Sequence, residues 1–134
     1  MSCSAALYAC NTNTQTSDAG VSTTLSFGTP VRRYGQLINI SSGNVSLQST
    51  GYFDVDTNFT LSAGAGLVTI QLYKDGVAIP GALAQITAAA GPKYSVSIPC
   101  LVRNKRCCES VITAVITSVG AGTVTNAAIE VKKI

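Results

Sequence analysis

The stretch Phe53-Asp54-Val55-Asp56-Thr57-Asn58-Phe59-Thr60-Leu61 puts Phe53, Val55, Thr57, Phe59 and Leu61 on one side of an extended chain and Asp54, Asp56, Asn58 and Thr60 on the other. Side chains of a strand alternate between faces, so this period of two predicts a strand with one face in a core and one in water. Val68, Ile70 and Leu72 continue the inward set, and Lys74-Asp75-Gly76 supplies a turn with Gly where a tight hairpin needs positive φ. Leu67–Tyr73 and Val77–Ile79 are expected to pair antiparallel, with Ile79-Pro80-Gly81 ending the hairpin because Pro cannot donate to a ladder. Working outward, short β-branched runs from Ser22–Phe27 to Thr123–Lys132 recur between Gly, Pro and Asn turn signals, and no segment has a helical period. About ten short strands with frequent turns read as an all-β sandwich or jelly roll.

The chain has 134 residues, which suits one domain and not two. Residues 1–20 are rich in Asn, Thr, Ser and Gln without an apolar period, so they read as an extended, Cys-containing N-terminal arm before a β domain over residues 21–134. Only 11% of residues are charged, under half of the roughly 25% usual in soluble domains. An exterior so poor in Lys and Glu is expected to be covered in part by copies of itself. The run Val111–Val119 is apolar on both faces, as in a central strand held between its own core and a neighbouring subunit. Val111, Val115 and Val119 are therefore candidates for core or interface.

Composition removes several classes of function. There is no His and no Trp, so the commonest general base is missing, and with it the usual triad and catalytic zinc arrangements. A nucleophilic cysteine would lack its base too. The reading is a non-enzyme with no cofactor. The net charge of +3 comes from scattered pairs such as Arg32-Arg33 and Lys132-Lys133 and forms no basic stripe, which argues against nucleic acid. The apolar stretch from Val111 to Gly122 is interrupted by Thr and Ser and falls short of the ~20 residues needed to insert in a membrane. Ala5 to Ala9 is too short for the apolar region of a signal peptide. A surface location then calls for a particle built inside the cell and released by lysis.

Five cysteines, an odd number, leave at least one without an intrachain partner, and none shows the paired spacing of a structural zinc site. Cys3 and Cys10 in the arm and Cys107 and Cys108 in a polar loop are candidate intersubunit cross-links, while Cys100 reads as a small buried hydrophobe. Asp54, Asp56 and Asn58 open like a calcium loop, but Phe59 stands where the Gly belongs and Ala65 where the bidentate Glu belongs. They are weak calcium candidates, and a solvated strand face is the plainer reading. Asn39, Asn44 and Asn58 fit the glycosylation acceptor pattern, as chance allows in a chain this rich in Asn, Ser and Thr. The five tyrosines fit core or interface positions better than a sugar platform.

The segment Gly51-Tyr52-Phe53-Asp54-Val55, the hairpin Val68 to Gly81 with its Lys74-Asp75-Gly76 and Ile79-Pro80-Gly81, and the closing Ala127 to Ile134 resemble the tumour necrosis factor/complement globular-head superfamily. They are most similar to its bacterial and phage branch, which includes the tip domain of collagen-like spore-surface glycoproteins of Bacillus. The likeness runs in order from about Val31 to Ile134. It implies a ten-stranded jelly roll that assembles as a tight homotrimer, with Tyr52, Phe53 and Phe59 near the trimer axis or in the core. No Gly-X-Y stalk precedes the domain, so the arm takes that place. The expected function is a structural module on a phage particle (decoration or fibre) or a spore or cell surface. Its partners would be itself and a capsid or surface-layer protein. The alternative is a receptor- or glycan-binding tip for a host surface, with Arg103–Glu109 and Lys74-Asp75-Gly76 as contact loops.

Overall fold

The protein is described by a computed structural model that covers residues 5–105 and 109–134. Its strands are β1 (Ala6–Asn11), β2 (Gln15–Ser17), β3 (Thr23–Leu25), β4 (Thr29–Tyr34), β5 (Ile38–Ser41), β6 (Asn44–Leu47), β7 (Gly51–Ala63), β8 (Gly66–Lys74), β9 (Val77–Ala88), β10 (Tyr94–Asn104), β11 (Ser110–Ser118) and β12 (Gly122–Lys133). They form two antiparallel sheets packed as a sandwich. The front sheet runs β10-β7-β12-β1-β4 with β2 beside β12, and the back sheet runs β5-β6-β11-β8-β9 with β3 beside β11.

The alternation in β7 decides which face is inside. Phe53, Val55, Thr57, Phe59 and Leu61 are all buried, whereas Asp56 and Asn58 are exposed. Thr57 is at home in the core row because its hydroxyl donates to the Ile98 carbonyl at 2.9 Å. Phe59 meets Phe27 with ring centroids 5.8 Å apart and planes tilted by 42°, within the range of favourable aromatic pairs. From the back sheet, Val68, Ile70, Leu72, Ile112, Ala114 and Ile116 close the core. At one end, the buried Asn104 amide donates to the Leu47 and Ser49 carbonyls at 3.2 and 2.8 Å and accepts the Ser110 hydroxyl at 2.6 Å. The β8–β9 turn has positive φ at both Asp75 (52°) and Gly76 (81°), the primed geometry that matches strand twist. Its Asp75 is held on β11: the Asp75 amide donates to the Val111 carbonyl and its carboxylate accepts the Val111 amide, both at 2.9 Å.

Four sequence expectations change. The sandwich has twelve strands among the described residues, not ten. The stretch read as an arm over residues 1–20 contains β1, which sits inside the front sheet between β12 and β4. There Leu7 and Ala9 are fully buried, so this segment is held by pairing and packing. The β8–β9 hairpin does not end at Pro80: β9 runs on to Ala88, and the register shifts between Gln71 and Tyr73 opposite the Pro80-Gly81 step. Such a bulge takes Pro out of the ladder, and the Gln71 amide donates to the Ile79 and Ala82 carbonyls there at 3.0 and 3.1 Å. Finally, of the two places expected for Tyr52, core or trimer interface, the core is excluded, since Tyr52 points outward and is half-exposed, in contrast to Phe53 and Phe59.

Charge divides between the sheets. Every charged residue within a strand belongs to the front sheet except Lys74, the last residue of β8.

Candidate functional site

The outward face of the front sheet gathers the charged and aromatic side chains. By register, Pro99, Asp56, Glu130, Tyr8 and Arg32 form one row across β10, β7, β12, β1 and β4. The next row places Leu101, Asp54, Lys132, Ala6 and Tyr34 side by side. Asp56 thus faces Glu130 across neighbouring strands, and like charges directly opposite each other destabilise a sheet. Among the described residues the ion pair of this face is Lys132 Nζ to Glu130 Oε1 at 3.5 Å, with both side chains about half exposed. A pair so open to water contributes little. Arg32 and Arg33 share a groove with Glu130 without an ion pair to it among the described residues; Arg33 donates to the Gly35 carbonyl at 3.2 Å, and Arg103 lies 5.8 Å over the Tyr52 ring. The centre of the face is acidic and its β4 edge basic.

Two shallow grooves flank Tyr8. One, of about 380 Å³, is lined by Asp56, Asn58, Ser97, Ala128 and Glu130. The other, of about 400 Å³, is lined by Val31, Arg32, Arg33, Tyr34 and Lys132. All six residues of β4 are exposed, including Val31 at 57% and Tyr34 at 67%. An edge strand with its apolar and aromatic side chains in water is the usual mark of a surface awaiting a partner. A third groove, of about 390 Å³, lies between the β8–β9 hairpin and β10 and brings together Lys74, Val77, Pro80, Leu101 and Arg103.

Asp54, Asp56 and Asn58 lie on the outward face of β7, as their spacing predicts, about 6–7 Å apart along the strand. Lys132 is the register partner of Asp54, which opposes cation binding there. Among the described residues, no group of three or more Asp, Glu, Cys or His is arranged to hold a metal ion. Cys10 is a free thiol on β1, opposite Ala128 on the outward side. Cys100 is also free and packs half-buried against the core. Burial, with the Asp54 and Asp56 carboxylates adding to it, pushes the Cys100 thiol from 9.0 up to about 11, so it stays protonated at neutral pH. Cys3, Cys107 and Cys108 lie outside the described residues. Val111, Val115 and Val119 point away from the core on the back sheet, where Val111 and Val115 are half-buried and Val119 is 63% exposed. Sequence reasoning weighed Tyr8 and Tyr34 only among the five tyrosines and Arg32-Arg33 only as scattered charge, and it missed Glu130, because their grouping on one face arises only through strand register.

No protein-family model and no curated protein sequence matches the chain. Solved structures do match its fold. The PRD1 vertex protein P5 superposes with a TM-score of 0.68 at 13% identity, covering 97% of this chain and 96% of that one. Murine APRIL at pH 8.0 gives 0.77 at 13% identity, with 98% and 99% covered. The globular domain of zebrafish complement 1qA gives 0.59 at 14% identity, with 91% and 94% covered. With nearly the whole chain matched by each of these, the sandwich is a tumour necrosis factor/C1q-like jelly roll.

Proposed function

We propose that this chain is a non-enzymatic structural protein, a homotrimeric jelly-roll module carried on a virion as a decoration or fibre component or on a bacterial spore or cell surface. The observation that carries the reading is the outward face of the front sheet. Its acidic centre at Asp54, Asp56 and Glu130 repels a copy of itself, yet fits the Arg-bearing edges at β4 and β10 of a neighbour. A contact between two different patches closes into a ring when the rotation it imposes divides a full turn, and runs on as a filament when it does not. The likeness to a vertex protein over nearly the whole chain supports a particle-bound role. On this reading the outward Cys10 of β1, together with Cys3, Cys107 and Cys108 outside the described residues, serves to cross-link neighbouring copies. Light scattering after size exclusion tests the trimer: the expected mass is three times the 13.7 kDa chain. Glu130→Arg is expected to reduce that mass, and a wild-type monomer at every concentration would overturn the reading.

A second reading, a receptor- or glycan-binding tip, is favoured by one observation. The hairpin end at Lys74 and the loop-proximal Arg103, on the two segments singled out as contact loops, line the same groove. Reproducible hits on a polysaccharide array, lost in Arg103→Ala, would support the tip, and a silent array would leave the structural role alone.

A further inference from the structure

The outward face of the back sheet has the opposite character to that of the front. Across β3, β11, β8 and β9 the described residues present Thr, Gln, Tyr, Val and Leu side chains and no charge, since Lys74 sits at the very end of β8 in the inward register. Its hydroxyls and amides already serve one another in a row across strands: Ser22 Oγ meets Thr117 Oγ1 at 2.8 Å, and Gln85 Nε2 donates to Thr69 Oγ1 at 3.4 Å beside it. Between these rows stand apolar side chains in water, with Leu67 45%, Leu83 43% and Val119 63% exposed. Among the described residues, no strand places a charged side chain on this face.

We infer that this face is a second assembly surface, which pairs with the same face of another copy of the chain. The two-fold contact brings each residue against itself or its symmetry mate, so a face carrying charge of one sign is penalised and a neutral one is not. The front face, with Asp56 beside Glu130, is unsuited to such pairing. The back face meets the requirement and also the depletion of charge typical of interface centres. Its size is adequate. The six strands of the back sheet hold 41 residues, which at ~3.3 Å along a strand and ~4.8 Å across give roughly 650 Å², toward the lower end of the ~600–1,000 Å² per partner of stable interfaces. Two such faces stack at the ~10 Å spacing of packed sheets, with Leu67, Leu83 and Val115 interleaving between them. The contact stands independently of the trimer. Combined with it, the two symmetries link trimers into larger assemblies.

The test is native mass of the full chain, by sedimentation velocity from about 1 to about 100 μM, for wild type and two double variants at exposed positions. Leu67→Glu with Leu83→Glu puts acids on the face and is expected to weaken pairing by about 100-fold or more. Leu67→Gln with Leu83→Gln keeps neutrality and is expected to pair within about tenfold of wild type. Circular dichroism verifies that both are folded. A hexamer, or a larger multiple of the trimer, that the Glu variant reduces to trimers supports both this inference and the trimer. A dimer that the Glu variant reduces to monomers supports pairing and refutes the trimer. Wild type that remains a trimer at 100 μM, or a Glu variant that associates as wild type does, overturns the inference.

Discussion

Phe59→Ala should be among the most damaging single substitutions in this protein, and its neighbour Asn58→Ala almost silent. Phe59 is 0% exposed and packs on Phe27. An aromatic side chain of this kind buries roughly 150–250 Å², which at ~25 cal/mol/Å² is worth about 4–6 kcal/mol as an upper figure. Measured Phe→Ala changes in cores cost about 3–5 kcal/mol, cavity included, so about 4 kcal/mol is expected. Phe59→Leu should cost about 1–1.5 kcal/mol because most of the volume is kept. Asn58 is exposed and holds one long bond, accepted from Ser95 Oγ at 3.3 Å. Its loss should fall within about 0.5 kcal/mol. Urea unfolding followed by far-UV circular dichroism reads all three, at one protomer concentration because self-association raises apparent stability. With a urea slope of about 1–3 kcal/mol/M, the Phe59→Ala midpoint should drop by more than about 1 M. If Asn58→Ala costs as much as Phe59→Ala, β7 is shifted by one residue. The outward residues of β7, Asp54 and Asp56 included, would then face the core.

Gly120→Ala should destabilise by about 1–3 kcal/mol, since its Cβ would stand 2.6 Å from the Gly64 Cα; thermal melts of the variant against wild type check this. Asn104→Ala strips the Leu47 and Ser49 carbonyls and the Ser110 hydroxyl of a buried partner and should cost about 2–3 kcal/mol in the same urea assay. Cys100 gives a pH signature. Its thiol pKa is raised from 9.0 to about 11, so between those values the folded state holds a proton that the unfolded state has lost. Its contribution to stability is complete below pH 9 and declines as pH rises to about 11. The stability difference between wild type and Cys100→Ala should therefore shift against wild type over that window, and a flat difference would refute the shift.

The β7 and β8 strands and the Asp75-Gly76 turn were legible because their signals are local: a period of two, and Gly after Asp where both φ values are positive. The Pro80 bulge was not, because Pro reads as a strand end unless a partner side chain serves the freed carbonyls, as Gln71 does. β1 was hidden for a similar reason. Ala5, Leu7 and Ala9 alternate with Ala6, Tyr8 and Cys10, but Ala is a poor strand former and the polar run after it resembles a tail. What makes it a strand is β12, paired residue by residue from more than a hundred positions away, as in Ala9 with Ile129.

The candidate site shows the same division. Asp54, Asp56 and Asn58 on one face followed from spacing alone, but the opposition of Asp56 and Glu130, the Lys132 beside Asp54, and the basic β4 edge arise from register between distant strands. The low charge of the chain already pointed to assembly, while the sorting of that charge onto one sheet, leaving the other neutral, appears only in the fold. By itself the sequence determined the all-β class, the inward and outward sets of its long strands and the lack of histidine chemistry, because these depend on neighbours along the chain. Tertiary structure decided which strands adjoin, and so which charges and apolar side chains share a surface, because pairing in an antiparallel sandwich joins residues that the sequence keeps far apart.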